Sequence, residues 1–452
     1  MEQRESWATR TGFILAAVGS AVGLGNIWRF PFQVGEGGGS TFLFVYLLFI
    51  ALVGFPAMLV EFVVGRRTNR NPVGALSELG QGLWQKVGWL FVATGFLILS
   101  YYSVVAGWTI RYVLIGLQDG YVGNVAGANE QFGSVASGLD AVLLHAIFMA
   151  AVIGIVALGI QKGIEFSVKL MVPAIIAITI GLAAYAFTLD GAGEAYAYYL
   201  SPDISVIVNE FTSVLPGAAG QAFFTLSLGM GVMITYASYL DEDRNLVEDG
   251  LAIVGLDTLI AFTVGLIVFP ILFTAGIDPG DPGAGAIFVS LAAAFAELPF
   301  GGIIGAVFFA TVAIAALSSA ISIMEVVVSY LIDEWDVGRV PATVVLGVGL
   351  FIVGLPAALD IIFVDVYDLF VNNVLLVLGA LLVSIFVGWI VPELGRSELR
   401  KGIGDLGIWG TGWIWLVRIP VIITLLVTIA LGAMGYYDFL TTDFADWLNE
   451  TL

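Results

Sequence analysis

Eleven stretches of roughly 20 apolar residues follow one another along this chain, near 11–33, 41–65, 88–117, 141–160, 166–189, 214–239, 250–275, 298–331, 340–358, 366–392 and 413–436. Each is long enough to cross about 30 Å of hydrocarbon as an α-helix. Lipid offers no partner to backbone N–H and C=O groups, so each segment must satisfy them within itself, which a helix does. The sequence therefore predicts an all-α polytopic membrane protein, one transmembrane domain over 1–452 with eleven transmembrane helices. Composition agrees, with 59% hydrophobic and 12% charged residues, against about 25% charged in water-soluble domains. The start, MEQRESWATR, is polar, and the apolar stretch behind it is too long for the hydrophobic region of a cleavable signal peptide.

The charges give an orientation. Of 16 Lys and Arg residues, all but Arg29, Arg111 and Arg418 fall on one side of this topology. The opposite loops, 118–140, 190–213, 276–297 and 359–365, contain neither residue type. The positive-inside rule places the N-terminus in the cytoplasm, and an odd number of spans places the C-terminus outside the cell. Arg111 and Arg418 are expected to snorkel from helix ends.

Several function classes drop out. A net charge of −20 leaves no basic patch for nucleic acid. An acidic surface suits concentrated salt, and a halophilic host and an ordinary acidic membrane protein both fit it. There is no cysteine, hence no disulfide or thiol chemistry, and the one histidine, His145, is expected to be packed in its apolar run. No nucleophile–base arrangement, metal cluster or phosphate loop is present, so an enzyme and an organic cofactor are not expected. The partners expected are a small substrate and the lipid bilayer. Oligomeric state is not legible.

The first apolar stretch is interrupted. In GSAVGLGNIWRFP (19–31) three glycines sit beside Asn26 and Arg29 at about bilayer depth. Free backbone groups and an arginine persist there only where they line a polar or wet cavity. A second interruption lies five spans later, in TLSLGMGVMITYASY (225–239), where Gly229 and Gly231 follow Thr225 and Ser227. Breaks at matching positions of two halves are the mark of inverted-repeat transporters. Repeat one would cover about 11–189, repeat two about 214–392, and an extra helix about 413–436. An ion channel lined by these polar residues is the reading from a different class.

These residues carry a resemblance. WATRTGFILAAVGSAVGLGNIWRFPF (Trp7–Phe32) resembles the signature of the neurotransmitter:sodium symporters, and the likeness continues in SYYSVVAGW (Ser100–Trp108), GQAFFTLSLGMGVMITYASY (Gly220–Tyr239) and AALSSAISIM (Ala315–Met324). The resemblance implies a LeuT-type fold with discontinuous helices 1 and 6, in the cell membrane, and sodium-coupled import of a neutral, hydrophobic amino acid by alternating access. A proton-coupled carrier of the same fold is the nearest rival.

Carried over by motif, one sodium site resembles the Ala21 carbonyl, the Asn26 side chain, Thr225 and Asp257, completed by the substrate carboxylate. The second resembles the carbonyls of Gly19, Val22 and Ala315 with the hydroxyls of Ser318 and Ser319. A small hard cation needs such oxygens. Relatives often have Thr at position 318 and an amide at 257. The Asp257 carboxylate would be a fixed countercharge, implying transport independent of chloride.

The substrate carboxylate would meet the N–H groups of Leu24 and Gly25 and the Tyr102 hydroxyl. Carbonyls near Phe224 and Thr225, with Ser227, would hold its ammonium, and Ala21 would be a further substrate contact. Ile98, Phe224, Met230, Ser319 and Ile323 would form the side-chain pocket. Gly23 stands where animal amine carriers have an aspartate, which disfavours amines without a carboxylate. Arg29 and Asp368 resemble an outer gate above Tyr102 and Phe224. Arg4 and Asp333, with Trp7 and Tyr239, resemble the cytoplasmic gate. Gly163 and Pro173 bracket a segment resembling one that unwinds to hydrate the second sodium. Glu61 and Glu325 are assigned only helix packing or hydration.

Overall fold

The computed structural model describes residues 5–80, 82–202, 204–280, 287–404 and 407–451, apart from the side chains of 204, 206, 208 and 210–213. Among these residues the regular structure is helical, with no strand. The broken first span consists of α1 (Arg10–Ala21) and α2 (Gly25–Glu36), bent by 49°. Next come α3 (Ser40–Thr68), α4 (Leu83–Leu117), α5 (Leu139–Ala157) and α6 (Ile160–Ala186). An irregular turn separates α7 (Ile204–Thr225) from α8 (Val232–Ala237). The chain continues through α9 (Leu246–Ala275), α10 (Gly301–Trp335), α11 (Arg339–Leu359), α12 (Ile362–Ile390), α13 (Pro392–Ile403) and α14 (Gly407–Thr451).

Nine continuous helices among the described residues are long and apolar enough to span a bilayer, and α1 with α2 makes ten. The expected sixth span coincides with α7 and α8 and stands outside that count, so eleven remains an expectation. At 35 residues, α4 and α10 are each about 52 Å long, well beyond the hydrocarbon thickness.

The distribution of side chains is that of a protein in lipid. Large apolar residues such as Leu170, Ile180, Phe187 and Ile423 point outward, while Glu61, Arg66, Asp257, Glu325 and Glu398 are buried. Two helix groups pack around the centre. In one, α10 runs along α4, α11 packs on α5 and α4, and α5 packs on α4. In the other, α3 lies against α7, α8 and α9, and α1 packs on α9. Contacts of α1 with α10 and α6 join them, which brings both helix breaks against the middle of α10.

The breaks have local causes. Thr9 starts α1 by accepting the Gly12 N–H at 3.0 Å, and Val22 ends it in an extended conformation. The turn after α7 runs through left-handed residues, Ser227 (φ 51°), Gly229 (φ 80°) and Gly231 (φ 78°). The two glycines adopt that region without steric cost. His145 is packed as expected, with Nε2 3.1 Å from the Phe351 carbonyl and its ring stacked on Phe351. Arg418, expected to snorkel, donates from Nε to the Gly388 carbonyl at 2.6 Å, and its guanidinium lies over Trp389 and Trp415.

Candidate functional site

The residues flanking the two breaks converge. Asp257 on α9 is fully buried, and its Oδ1 accepts from Asn26 Nδ2 at 2.8 Å. The Thr225 hydroxyl lies 3.1 and 3.3 Å from the two carboxylate oxygens. Asn26 Oδ1 accepts the Gly23 N–H at 3.4 Å, across the break in the first span. One carboxylate, one amide and one hydroxyl from three different helices thus share a dry point, with no cationic side chain in an ion pair with Asp257 among the described residues. This donor set fits a small monovalent cation: hard oxygens with one formal negative charge.

A second oxygen cluster lies where α1 meets α10. The Ser318 hydroxyl is 2.6 Å from the Gly19 carbonyl and 2.8 Å from the Ala315 carbonyl. Ser319 Oγ is 2.8 Å from the Ser20 carbonyl and 3.3 Å from that of Gly19. Val22, expected to join this group, is the buried residue that ends α1.

Between the clusters lies a narrow cavity of about 20 Å³. Its lining includes Ala21, Leu24, Gly25, Ile98, Tyr102, Phe224, Ser227, Met230, Ser319 and Ile323, all anticipated from the sequence. Thr225 does not line it, being turned toward Asp257. Ser20 and Gly23 line it and were not foreseen as contacts. The lining carries no charged side chain. The Tyr102 hydroxyl accepts the Leu24 N–H at 3.2 Å, so both groups already point at one spot. A Cβ on Gly23 would lie 2.3 Å from Ser319 Oγ and 2.9 Å from Tyr102 Oη, which accounts for glycine at that position.

The outer residues take different partners from those expected. No direct ion pair joins Arg29 and Asp368. Arg29 lies 5.2 Å from the Phe224 ring centroid, while Asp368 accepts from Tyr101 Oη at 2.8 Å and Asn372 Nδ2 at 2.6 Å. The cation thus lies over a ring that lines the cavity, and the acid is held by neutral donors.

On the opposite face, Arg4 lies outside the described residues. Asp333 accepts from the backbone and side chain of Asn71. Trp7 Nε1 donates to the Tyr236 carbonyl at 2.9 Å, and its ring lies edge-on to Tyr236 and Tyr239. Tyr239 Oη donates to Glu325 at 2.7 Å, and Arg339 reaches the same carboxylate at 2.7 and 3.1 Å and Glu5 at 3.3 Å. Glu325 is therefore the hub of an ion-pair network, which corrects its assignment to packing. Glu61 is corrected likewise: its Oε1 accepts the Gly229 N–H at 2.7 Å and satisfies backbone freed by the second break. The Gly163–Pro173 segment is wound, as a π-helical turn Ile160–Glu165 running into α-helix. Glu165 in that turn holds the Ala8 N–H and the Thr9 hydroxyl, each at 2.8 Å.

Comparison with known proteins places this geometry. The profile of the Sodium:neurotransmitter symporter family matches residues 4–122 and 124–451. An uncharacterized sodium-dependent transporter of Bacillus subtilis, YhdH, is 34% identical over 96% of this chain and 98% of its own length. An uncharacterized sodium-dependent transporter of Methanocaldococcus jannaschii, MJ1319, is 35% identical over 97% of this chain and 94% of its own. Among solved structures, MhsT in complex with L-phenylalanine superposes with a TM-score of 0.85 at 40% identity, covering 95% of this chain and all of that one.

Proposed function

The chain belongs to the sodium:neurotransmitter symporter family, and from that premise we propose that it imports a neutral, hydrophobic amino acid together with sodium, independently of chloride. It is a sodium-dependent membrane transporter and not an enzyme, as its family is. The observation that carries the finer reading is the Asn26–Thr225–Asp257 cluster, one residue along the chain from the cavity residues Gly25 and Phe224. An ion bound there would touch the substrate, so each would favour the other.

Sodium at this first site would use the Ala21 carbonyl, Asn26, Thr225 and Asp257. The second would use Gly19, Val22, Ala315, Ser318 and Ser319. The substrate carboxylate would take the Leu24 and Gly25 N–H groups, at the N-terminal end of α2 where the helix dipole favours an anion. The Tyr102 hydroxyl, which there accepts from Leu24, can turn its own proton to the carboxylate. The apolar lining from Ile98, Phe224, Met230 and Ile323 would receive an uncharged side chain. Met230 repacks easily, which suits a range of sizes, and the phenylalanine bound to MhsT is a fitting member of that range.

Alternating access would rock α1–α3 and α7–α9 against α4, α5, α10 and α11, the two groups in which the helices pack, each drawing matching helices from both inverted repeats. With the N-terminus cytoplasmic, the Tyr239–Glu325–Arg339–Glu5 network would close the inner side, and Arg29 with Phe224 the outer. Energetically the scheme is ample. Two sodium ions moving through about 100 mV gain about 4.6 kcal/mol, and a 1,000-fold accumulation costs about 4.1 kcal/mol.

The test is equilibrium binding of tritiated phenylalanine, leucine and alanine to purified protein, in sodium or potassium, with chloride or gluconate. Saturable binding that needs sodium and ignores chloride is expected, and Asn26→Ala should abolish it. Binding that persists in potassium would favour proton coupling, and no binding of any amino acid would sink the substrate class.

The inner gate gives its own expectation. Glu325→Ala takes from Arg339 its buried partner and from the Tyr239 hydroxyl its acceptor, so the cytoplasmic face should open more often. The chain has no cysteine, so one introduced at Ser238 is a clean reporter. Its alkylation from the cytoplasmic side should accelerate at least about tenfold, since a broken buried pair costs about 3–5 kcal/mol and about 1.4 kcal/mol of that falling on the closed state is already a decade, and unchanged labelling would remove Glu325 from the gate.

A further inference from the structure

Four serine hydroxyls meet at the inner wall of the cavity. Ser322 Oγ lies 2.7 Å from Ser20 Oγ, and Ser20 Oγ donates to Ser227 Oγ at 3.2 Å. Ser227 Oγ in turn donates to the Ser20 carbonyl at 3.0 Å, and Ser319 Oγ donates to the same carbonyl at 2.8 Å. All four side chains are buried. They come from three elements, α1, the turn after α7, and α10.

We propose that Ser20 is the positioning residue that couples the second ion site to the substrate cavity, an inference that rests on the sodium-coupled reading above. Each hydroxyl has a single proton to donate. Ser319 has two acceptors in reach, the Gly19 carbonyl at 3.3 Å and the Ser20 carbonyl at 2.8 Å. A cation beside the Gly19 carbonyl and the Ser319 oxygen repels the hydroxyl proton from Gly19. The proton is then fixed on the Ser20 carbonyl, which also receives Ser227.

Ser227 is where this matters. It lines the cavity and has φ 51°, a left-handed conformation that a non-glycine residue keeps only when its surroundings hold it. Ser20 supplies that hold at two points, its carbonyl accepting from Ser227 and its hydroxyl donating to it. Hydrogen-bonded chains polarise one another in a dry interior, so ordering the Ser319 end firms the Ser227 end. Occupancy of the ion site is thereby passed to the wall that meets the substrate, and the coupling is reciprocal. Ser20 need touch neither sodium nor amino acid for this.

The experiment is a binding cycle on the full chain in lipid nanodiscs. Phenylalanine affinity is measured at low and saturating sodium, and sodium affinity with and without phenylalanine by tryptophan fluorescence. The ratio across the cycle is the coupling factor. Ser20→Ala is expected to lower it about fivefold, the weight of one buried hydrogen bond, with sodium affinity in the absence of amino acid as the internal reference. Ser20→Thr keeps the hydroxyl and should restore the factor to within about twofold. Ser322→Ala, one step farther from the cavity, should lower it in the same direction by less.

A coupling factor in Ser20→Ala equal to that of the wild type overturns the inference, as does an equal loss in Ser20→Ala and Ser20→Thr. Wild-type protein that binds phenylalanine equally well without sodium overturns the symport reading and the coupling with it. Sodium-dependent wild-type binding with an unchanged cycle in Ser20→Ala overturns the coupling alone.

Discussion

Asp257→Asn is expected to weaken sodium-dependent amino-acid binding by at least about a hundredfold while leaving the fold intact. The carboxylate is fully buried and, among the described residues, held by neutral donors, Asn26 and Thr225. An unpaired carboxylate in that setting is costly, and a cation beside it offsets the cost. Removing one partner of a buried charge pair costs about 3–5 kcal/mol, and 3 kcal/mol is already about two decades in affinity. The amide has nearly the same shape, so packing of α9 against α1 should persist. Equilibrium binding across a sodium titration reads the effect, with thermal stability as the control for folding. Replacing chloride with gluconate should leave the wild type unchanged. An Asp257→Asn protein with wild-type sodium dependence would take Asp257 out of the ion site and undo the argument for chloride independence.

Gly229→Ala should have the largest effect on stability. The residue has φ 80°, and a Cβ there would lie 2.0 Å from the Leu376 carbonyl oxygen, which is backbone and cannot turn away. The left-handed conformation alone costs an L-residue about 1–2 kcal/mol, and overpacking adds about 1–3 kcal/mol. Relief of the clash would pull the turn from Glu61, whose carboxylate receives the Gly229 N–H. A fall in apparent melting temperature of about 2–5 °C is expected, read by size-exclusion chromatography of heated detergent extracts. Gly255→Ala is the matched control, since open space surrounds its Cβ position on α9, and it should cost nothing. Equal stability of the two variants would mean that the break after α7 is compliant and that Glu61 does not hold it.

The spans were legible because lipid imposes a simple rule on length and hydropathy, and the breaks because glycines beside Asn26, Thr225 and Ser227 violate it. The cavity lining followed from the family motifs, and of the residues named for it only Thr225 faces elsewhere. What sequence reasoning missed were side chains whose importance lies in a distant partner. Glu61 and Gly229 are 168 positions apart, Ser20 and Ser322 302. Nothing local marks Glu61 as the acceptor of a freed N–H, or Glu325 as the carboxylate that Arg339 and Tyr239 share. The outer pair shows the converse: Arg29 and Asp368 carry complementary charges, yet one lies over Phe224 and the other is bound by Tyr101 and Asn372.

By itself, then, the sequence determined that the chain crosses a membrane as helices, where two of those helices break, and which oxygen-bearing residues stand at the breaks. These are properties of segments, set by the cost of exposing backbone and charge to lipid. Only the tertiary structure decided which oxygen meets which donor: Asp257 with Asn26 and Thr225, Glu61 with Gly229, Ser20 with three other serines. A hydrogen bond acts over about 3 Å, and no periodicity along a chain specifies distances that fine between residues hundreds of positions apart.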